Sequence, residues 1–232
     1  MTNDMVSSNT NSNDAAAVLD PVELRVLAVL AEKEGLTPDN YPMSLNAIVN
    51  GCNQLSSRDP VMQISEAVVL DTLQRLAERK LVNAISQAGA RVVKYEHRMR
   101  IKWTLEQDKL AVLTILMLRG LQTAGEIRTR SGRLHEFKTV ADVETALQFL
   151  IDKYPPLVVK LERAPGTKES RYGQLLGGEI TIVAGSEHSS AGASGGQTQG
   201  ARVQQLEHEV AALRGELEQL KGQFEAFQRQ FQ

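Results

Sequence analysis

Apolar residues recur at Leu24, Leu27 and Leu30, the spacing of one face of an α-helix. Asp20 precedes them as an N-cap, with Pro21 at the first helical position and Glu23 at the third. This predicts a helix from Pro21 to about Glu34, stopped by Gly35. Ser44 caps a short second helix, SLNAIVNGCN. A turn-rich stretch, QLSSRDPVMQI, separates it from a third helix. That helix opens at Ser65 and Glu66 and carries Leu70, Leu73 and Leu76 to about Lys80. The pattern then shortens: LVNAIS and RVVKYEH, separated by QAGA, read as a β-hairpin.

The same order returns. TLEQDKLAVLTILMLRG reads as a helix capped by Thr104 and ended by Gly120. TAGEIRTRSG and TVADVETALQFLIDK supply two more helices, and LVVKLERAPGTKESRYGQL a second hairpin. Leu24, Leu27 and Leu30 correspond to Leu110, Leu113 and Leu116 at a constant offset of 86. The segment Thr72 to Leu76 corresponds to Ala146 to Leu150, and Leu81-Val82 to Leu157-Val158. The chain is therefore read as an internal repeat. Three helices and a hairpin form the winged-helix pattern. The expected fold is mainly α with small β-wings (α+β), with winged-helix domains at 19–102 and 103–182.

Three segments lie outside that pattern. Residues 1–18 are rich in Asn, Ser, Thr and Asp and are expected to form a disordered tail. Residues 183–200 are a Gly/Ser/Ala linker. Residues 201–232 carry Val203, Leu206, Val210, Leu213, Leu217, Leu220, Phe224, Phe227 and Phe231, alternating spacings of three and four. That is the a/d seam of a coiled coil. Valine at two a positions and leucine at three d positions favour a parallel homodimer, with Glu209 opposite Arg214 and Glu216 opposite Lys221.

Composition narrows the function. Aromatics are only 4% of the 232 residues, so the core must be aliphatic. A single cysteine, Cys52, excludes an intrachain disulfide framework and a Cys-rich zinc site. The four histidines have no HxxxH spacing, and no GxGxxG, GxxxxGK[ST] or GxSxG is present. No catalytic residue, metal or cofactor is therefore expected, and Cys52 reads as a small buried apolar residue. The longest apolar run, Leu110 to Leu118, falls far short of the ~20 residues that span a bilayer. With no signal-like N-terminus, the expected location is the cytoplasm, away from membranes.

The stretch LTPDNYPMSLNAIVNGCNQLSSRDPVM, residues 36–62, with TLQRLAERKLV and VVKYEHR after it, resembles the bacterial YceH-like family. The resemblance extends from Leu19 to about Glu179 and implies tandem winged-helix domains, but little about activity. Within it, Arg58 and Asp59 are expected to satisfy backbone groups in the long turn, the alternative being that Ser57 to Pro60 form a ligand loop. Tyr41, between two prolines, is expected to pack on the core.

The charge distribution points to two possible partners. The net charge of −2 excludes coating of nucleic acid by bulk charge. Residues 19–100 hold 10 basic and 10 acidic side chains, and residues 101–182 hold 12 and 10. The basic residues nevertheless cluster. Arg91, Lys94, Arg98, Arg100 and Lys102 follow the first wing; Arg128, Arg130, Arg133 and Lys138 surround the second helix of the second repeat; Arg163, Lys168 and Arg171 lie on its wing. Arg75, Arg79 and Lys80 end the first reading helix. The second reading helix offers Asp142, Glu144, Thr145, Gln148 and Asp152, a poor base reader. The expectation is a non-enzymatic protein binding double-stranded DNA as a dimer, in a transcription- or chromosome-associated role. The alternative is an adaptor that binds other proteins through the same surfaces and its coiled coil.

Overall fold

The computed structural model describes residues 18–86, 92–163 and 169–180. The tail at 1–17, the linker and the coiled-coil seam lie outside the described residues. The described chain is mainly helical with small antiparallel sheets.

Helix α1, Pro21–Leu36, begins as its cap predicts. The Asp20 carboxylate accepts from the Val22 and Glu23 amides at 2.8 Å, and Glu23 accepts from the Asp20 amide at 3.0 Å. Val26 to Leu30 are wholly buried, because the residues between the leucines are apolar too. The helix does not stop at Gly35. It runs to Leu36, and the Thr37 amide donates to the Lys33 carbonyl. Gly35 serves a close approach instead: a Cβ there would stand 3.0 Å from a Leu134 methyl.

Strand β1, Met43–Ser44, leads directly into α2, Leu45–Cys52. Ser44 both pairs in the sheet and caps the helix, accepting from the Ala47 amide. α2 crosses α1 so closely that a Cβ on Gly51 would lie 2.5 Å from Val29. Helix α3, Glu66–Glu78, starts at the Ser65 cap and ends two residues earlier than its pattern suggested. Lys80 then turns the chain with a left-handed φ of 58°.

Strands β2, Val82–Ile85, and β3, Lys94–His97, form the first hairpin in register Val82 with His97 and Ile85 with Lys94. β1 adds to the free edge of β3, giving the order β1-β3-β2.

A short helix, α4, Met99–Trp103, follows the hairpin. Thr104 therefore does not cap the next helix. It ends α4 in a left-handed conformation, and Glu106 takes the N-cap of α5, Gln107–Arg119. The pattern misplaced this boundary because α4 is a single buried-Met turn too short for periodicity to register.

The second repeat follows the first: α6, Ala124–Ser131, capped by Thr123; α7, Val140–Ile151, capped by Thr139; then β4, Val158–Lys160, and β5, Tyr172–Gln174. Gln122, just before α6, bridges to Tyr172 on β5, as Met43 before α2 pairs with Tyr95 on β3. The repeat thus extends to how each second helix joins its sheet. Helices α1 and α5, each buried nearly all round in its middle, pack on each other, so the two repeats share one hydrophobic core from Leu19 to Tyr172.

Candidate nucleic-acid interface and a buried arginine centre

The first hairpin presents its cations on one side. Alternation along β3 puts Lys94, Glu96 and the following Arg98 outward, while His97 is buried and Tyr95 packs against the core. The Arg98 amide donates to the Leu81 carbonyl, which brings Arg98 beside Lys80 at the base of the hairpin. Lys102 lies one helical turn on, its amide donating to the Arg98 carbonyl. Lys80, Lys94, Arg98 and Lys102 are all exposed, and none has a carboxylate within 4 Å among the described residues. Arg91 lies outside the described residues.

The third helices of the two repeats, expected to read bases, hold their charges differently. Arg75 on α3 is held by Asp20 at 2.8 Å, Glu23 at 3.2 Å and Asp71 at 3.2 Å, and the hydrogen bond to Asp20 leads the causes that raise its pKa. Arg79 donates to Glu23 at 2.9 Å. Both guanidiniums therefore tie α3 to the start of α1. The exposed face of α3 shows Glu66, Val68, Leu70, Asp71, Gln74 and Glu78. That of α7 shows Val140, Asp142, Glu144, Gln148 and Phe149.

In the second repeat, Arg171 donates to the Leu121 carbonyl at 2.9 Å and sits 3.6 Å from Glu126. Arg130 donates to Gln122 and lies 4.0 Å from the same carboxylate. Arg128, Arg133 and Lys138 are exposed around the α6–α7 loop, with Arg128 reaching the Phe137 carbonyl at 3.4 Å. Arg163 is exposed beyond β4, and Lys168 lies outside the described residues.

The polar motif at 53–64 is a loop closed by its own side chains. The Asn53 amide group donates to the Ile64 carbonyl at 2.9 Å and accepts from the Ile64 amide at 2.8 Å. Arg58 is buried inside it. Its guanidinium forks onto Glu32 at 3.0 and 2.6 Å and donates to the Gly51 carbonyl at 3.1 Å. Arg25, inside the apolar surface of α1, donates to the Cys52 carbonyl at 3.1 Å and the Pro60 carbonyl at 2.6 Å. Two arginines thus serve the orphan carbonyls at the end of α2. Arg58 meets its sequence expectation. Arg25 had no signal beyond being a charge in an apolar helix. Cys52 is buried and free, and burial pushes its thiol up to about 12 despite nearby Arg25 and Arg58, which favours the protonated thiol.

A second network joins the first hairpin to α5. The Tyr41 hydroxyl accepts from the His97 amide at 2.8 Å, and Tyr41 packs against the core. His97 Nε2 and Arg100 both meet Glu34, at 3.2 and 3.0 Å. Arg100 continues to Gln107, which donates to the Leu134 carbonyl. The hydrogen bond from His97 is the main reason that the Glu34 carboxyl falls to about 2. Sequence spacing could not anticipate this set, whose members come from four separate segments.

Among the described residues no group of His, Cys, Asp and Glu is arranged to hold a metal ion, and no helix is long and apolar enough to cross a membrane. The motif that builds the arginine centre falls inside the match of a family model described as a protein of unknown function, DUF480, which covers residues 19–167. The chain belongs to the DUF480 family. A UPF0502 protein of Herminiimonas arsenicoxydans is 58% identical over the whole of both chains. One from Janthinobacterium sp. (strain Marseille) is 62% identical over 95% of this chain and 98% of its own. One from Opitutus terrae is 44% identical over 85% and 84% respectively. This is the group to which the YceH-like resemblance pointed. The DUF480 match takes in both three-helix repeats and the closed loop between α2 and α3.

Proposed function

We propose that this chain is a non-enzymatic, cytoplasmic binding protein with winged-helix units at 19–102 and 103–182. It grips duplex DNA by phosphates rather than by base edges. One observation carries the reading: Arg98 and Lys80 at the base of the first hairpin, Lys102 one helical turn beyond and Lys94 at the loop end of β3 are all exposed and without carboxylate partners among the described residues. Phosphate contacts of this kind position a protein without reading sequence. The acidic faces of α3 and α7 support the same division, since carboxylates in a major groove are repelled except where they accept from cytosine. The test is duplex binding across a salt series. Replacing Lys94, Arg98 and Lys102 by Ala should lower the salt slope by up to ~3 units. Absence of duplex binding by the full chain at low salt would remove this reading.

The second unit of the proposal is a parallel homodimer through the seam from Val203 to Phe231. Leu213→Asp places two carboxylates in that seam, and the variant should sediment as a monomer with the rest of the chain folded. A wild-type chain that is monomeric at micromolar concentration would refute it.

A specific observation also supports the adaptor reading. Val68 and Leu70 on α3, and Val140 and Phe149 on α7, are exposed on helices that also carry exposed carboxylates, the Phe149 ring lying under the ammonium groups of Lys109 and Lys153. Such mixed apolar and acidic faces suit protein partners better than DNA. Capture of a defined partner that is lost on changing Leu70 or Phe149 to Asp would favour it.

A further inference from the structure

The junction between the α2–α3 loop and the end of α5 carries charge that neither the fold nor the hairpin reading uses. Arg119 is the last residue of α5 and is half-buried. Among the described residues its guanidinium has one hydrogen-bond partner, the Ser57 hydroxyl. Ser57 is exposed and held at a φ of 61°, in the left-handed region that a serine rarely occupies. Strain of this kind persists only where surrounding contacts enforce it. Here the enforcing contacts are the buried Arg58, whose guanidinium also binds the Ser57 carbonyl, and the Asp59 amide, which donates to the Leu118 carbonyl.

Arg119 is not needed as a helix cap. The Gly120 amide takes the Leu116 carbonyl, the Asp59 amide takes Leu118, and Gln122 takes Ile115. Neither is it an ion-pair member, because no carboxylate lies within 4 Å of it among the described residues, Asp59 of the same loop included. Its neighbours are cations. Burial, then the like charges of Arg130 and Arg58, lower its pKa, with Glu32 opposing. Glu32 is already forked onto Arg58, and Arg130 is turned to Gln122. A half-buried guanidinium among like charges, with most donors unused and a hydroxyl fixed beside it, has the chemistry of an oxyanion receptor.

We infer that Arg119 and Ser57 form a binding site for a phosphate group, with Arg58 fixing the loop and Arg130 adding positive field. The same chemistry fits free phosphate and a phosphodiester of a nucleic-acid backbone. The inference stands apart from the hairpin cations, which are not part of this site.

The experiment uses the full chain and two probes, inorganic phosphate followed by phosphorus NMR and a short DNA duplex followed by anisotropy. Arg119→Gln and Ser57→Ala are compared with Lys153→Ala, which lies outside both proposed sites, each checked for folding by circular dichroism. Arg119→Gln should weaken phosphate binding roughly tenfold or more, Ser57→Ala less, and Lys153→Ala not at all. A parallel loss of duplex affinity in Arg119→Gln assigns the site to a nucleic-acid backbone. Loss confined to inorganic phosphate assigns it to a free phosphate. A wild-type chain that binds neither probe, or whose binding is untouched in both Arg119→Gln and Ser57→Ala, overturns the inference. Should Arg119→Gln fail to fold, Ser57→Ala alone decides it.

Discussion

Arg58 shows how one side chain can hold a fold that a hydrophobic pattern only outlines. Its guanidinium is fully buried and paired with a nearly buried Glu32. Burying such a pair costs several kcal/mol per ion, and the fork onto the carboxylate and the Gly51 carbonyl offsets that cost. The pair therefore contributes more to where the 53–64 loop sits than to net stability. Removing one partner is a different matter, since it strands a charge. Arg58→Met should destabilise the chain by about 3–5 kcal/mol in urea titration. Adding Glu32→Gln should recover a large part of the loss. If the double variant is no more stable than the single one, the pair is not the source of the effect.

At the scale of elements, short polar networks decide how helices meet hairpins. Glu34 near the end of α1 receives His97 at the end of β3 and Arg100 on α4, and its carboxyl falls to about 2 from an ordinary 4.5. A depressed carboxylate stabilises the folded state above its unfolded pKa. That contribution is complete above about pH 5 and disappears as pH falls from about 4.5 toward about 2. With partial exposure and screening taken into account, it is about 2 kcal/mol. Glu34→Gln should therefore lower stability at pH 7 and flatten its dependence on pH between about 5 and 2. An unchanged pH profile would mean that Glu34 is not the titrating group. These networks were invisible to periodicity, which registers spacing along a chain and not the meeting of distant polar ends. Local caps were legible where no unforeseen element intervened: Asp20, Ser44 and Ser65 begin the helices they were expected to begin, while Thr104 ends α4 instead.

For the whole molecule, the packing of α1 on α5 governs behaviour. Each repeat contributes one helix whose middle is buried nearly all round, Val26–Ala31 of α1 and Leu110–Leu118 of α5. Separation of the repeats would expose both. Unfolding of the two repeats should therefore be a single transition, with fluorescence of the lone Trp103 and far-UV circular dichroism coinciding. Leu113→Ala, in the middle of α5, should cost about 2–5 kcal/mol and lower that one transition without splitting it. Two resolved transitions would show that each repeat keeps its own core.

The sequence by itself determined what depends on near neighbours: the six longer helices, the caps Asp20, Ser44 and Ser65, both hairpins and the repeat, but not β1 or the short α4. It also marked the burial of Cys52, because a small sulfur side chain on an apolar helix face is rarely anything else. What only the tertiary structure decided is where each charge ends. Arg75, Arg79 and Arg98 look alike in the sequence, yet Asp20 and Glu23 capture the first two while Arg98 faces solvent. The reason is physical. A guanidinium pairs with whichever carboxylate the fold brings within about 4 Å, and for Arg75 and Arg79 those carboxylates lie more than fifty residues back along the chain.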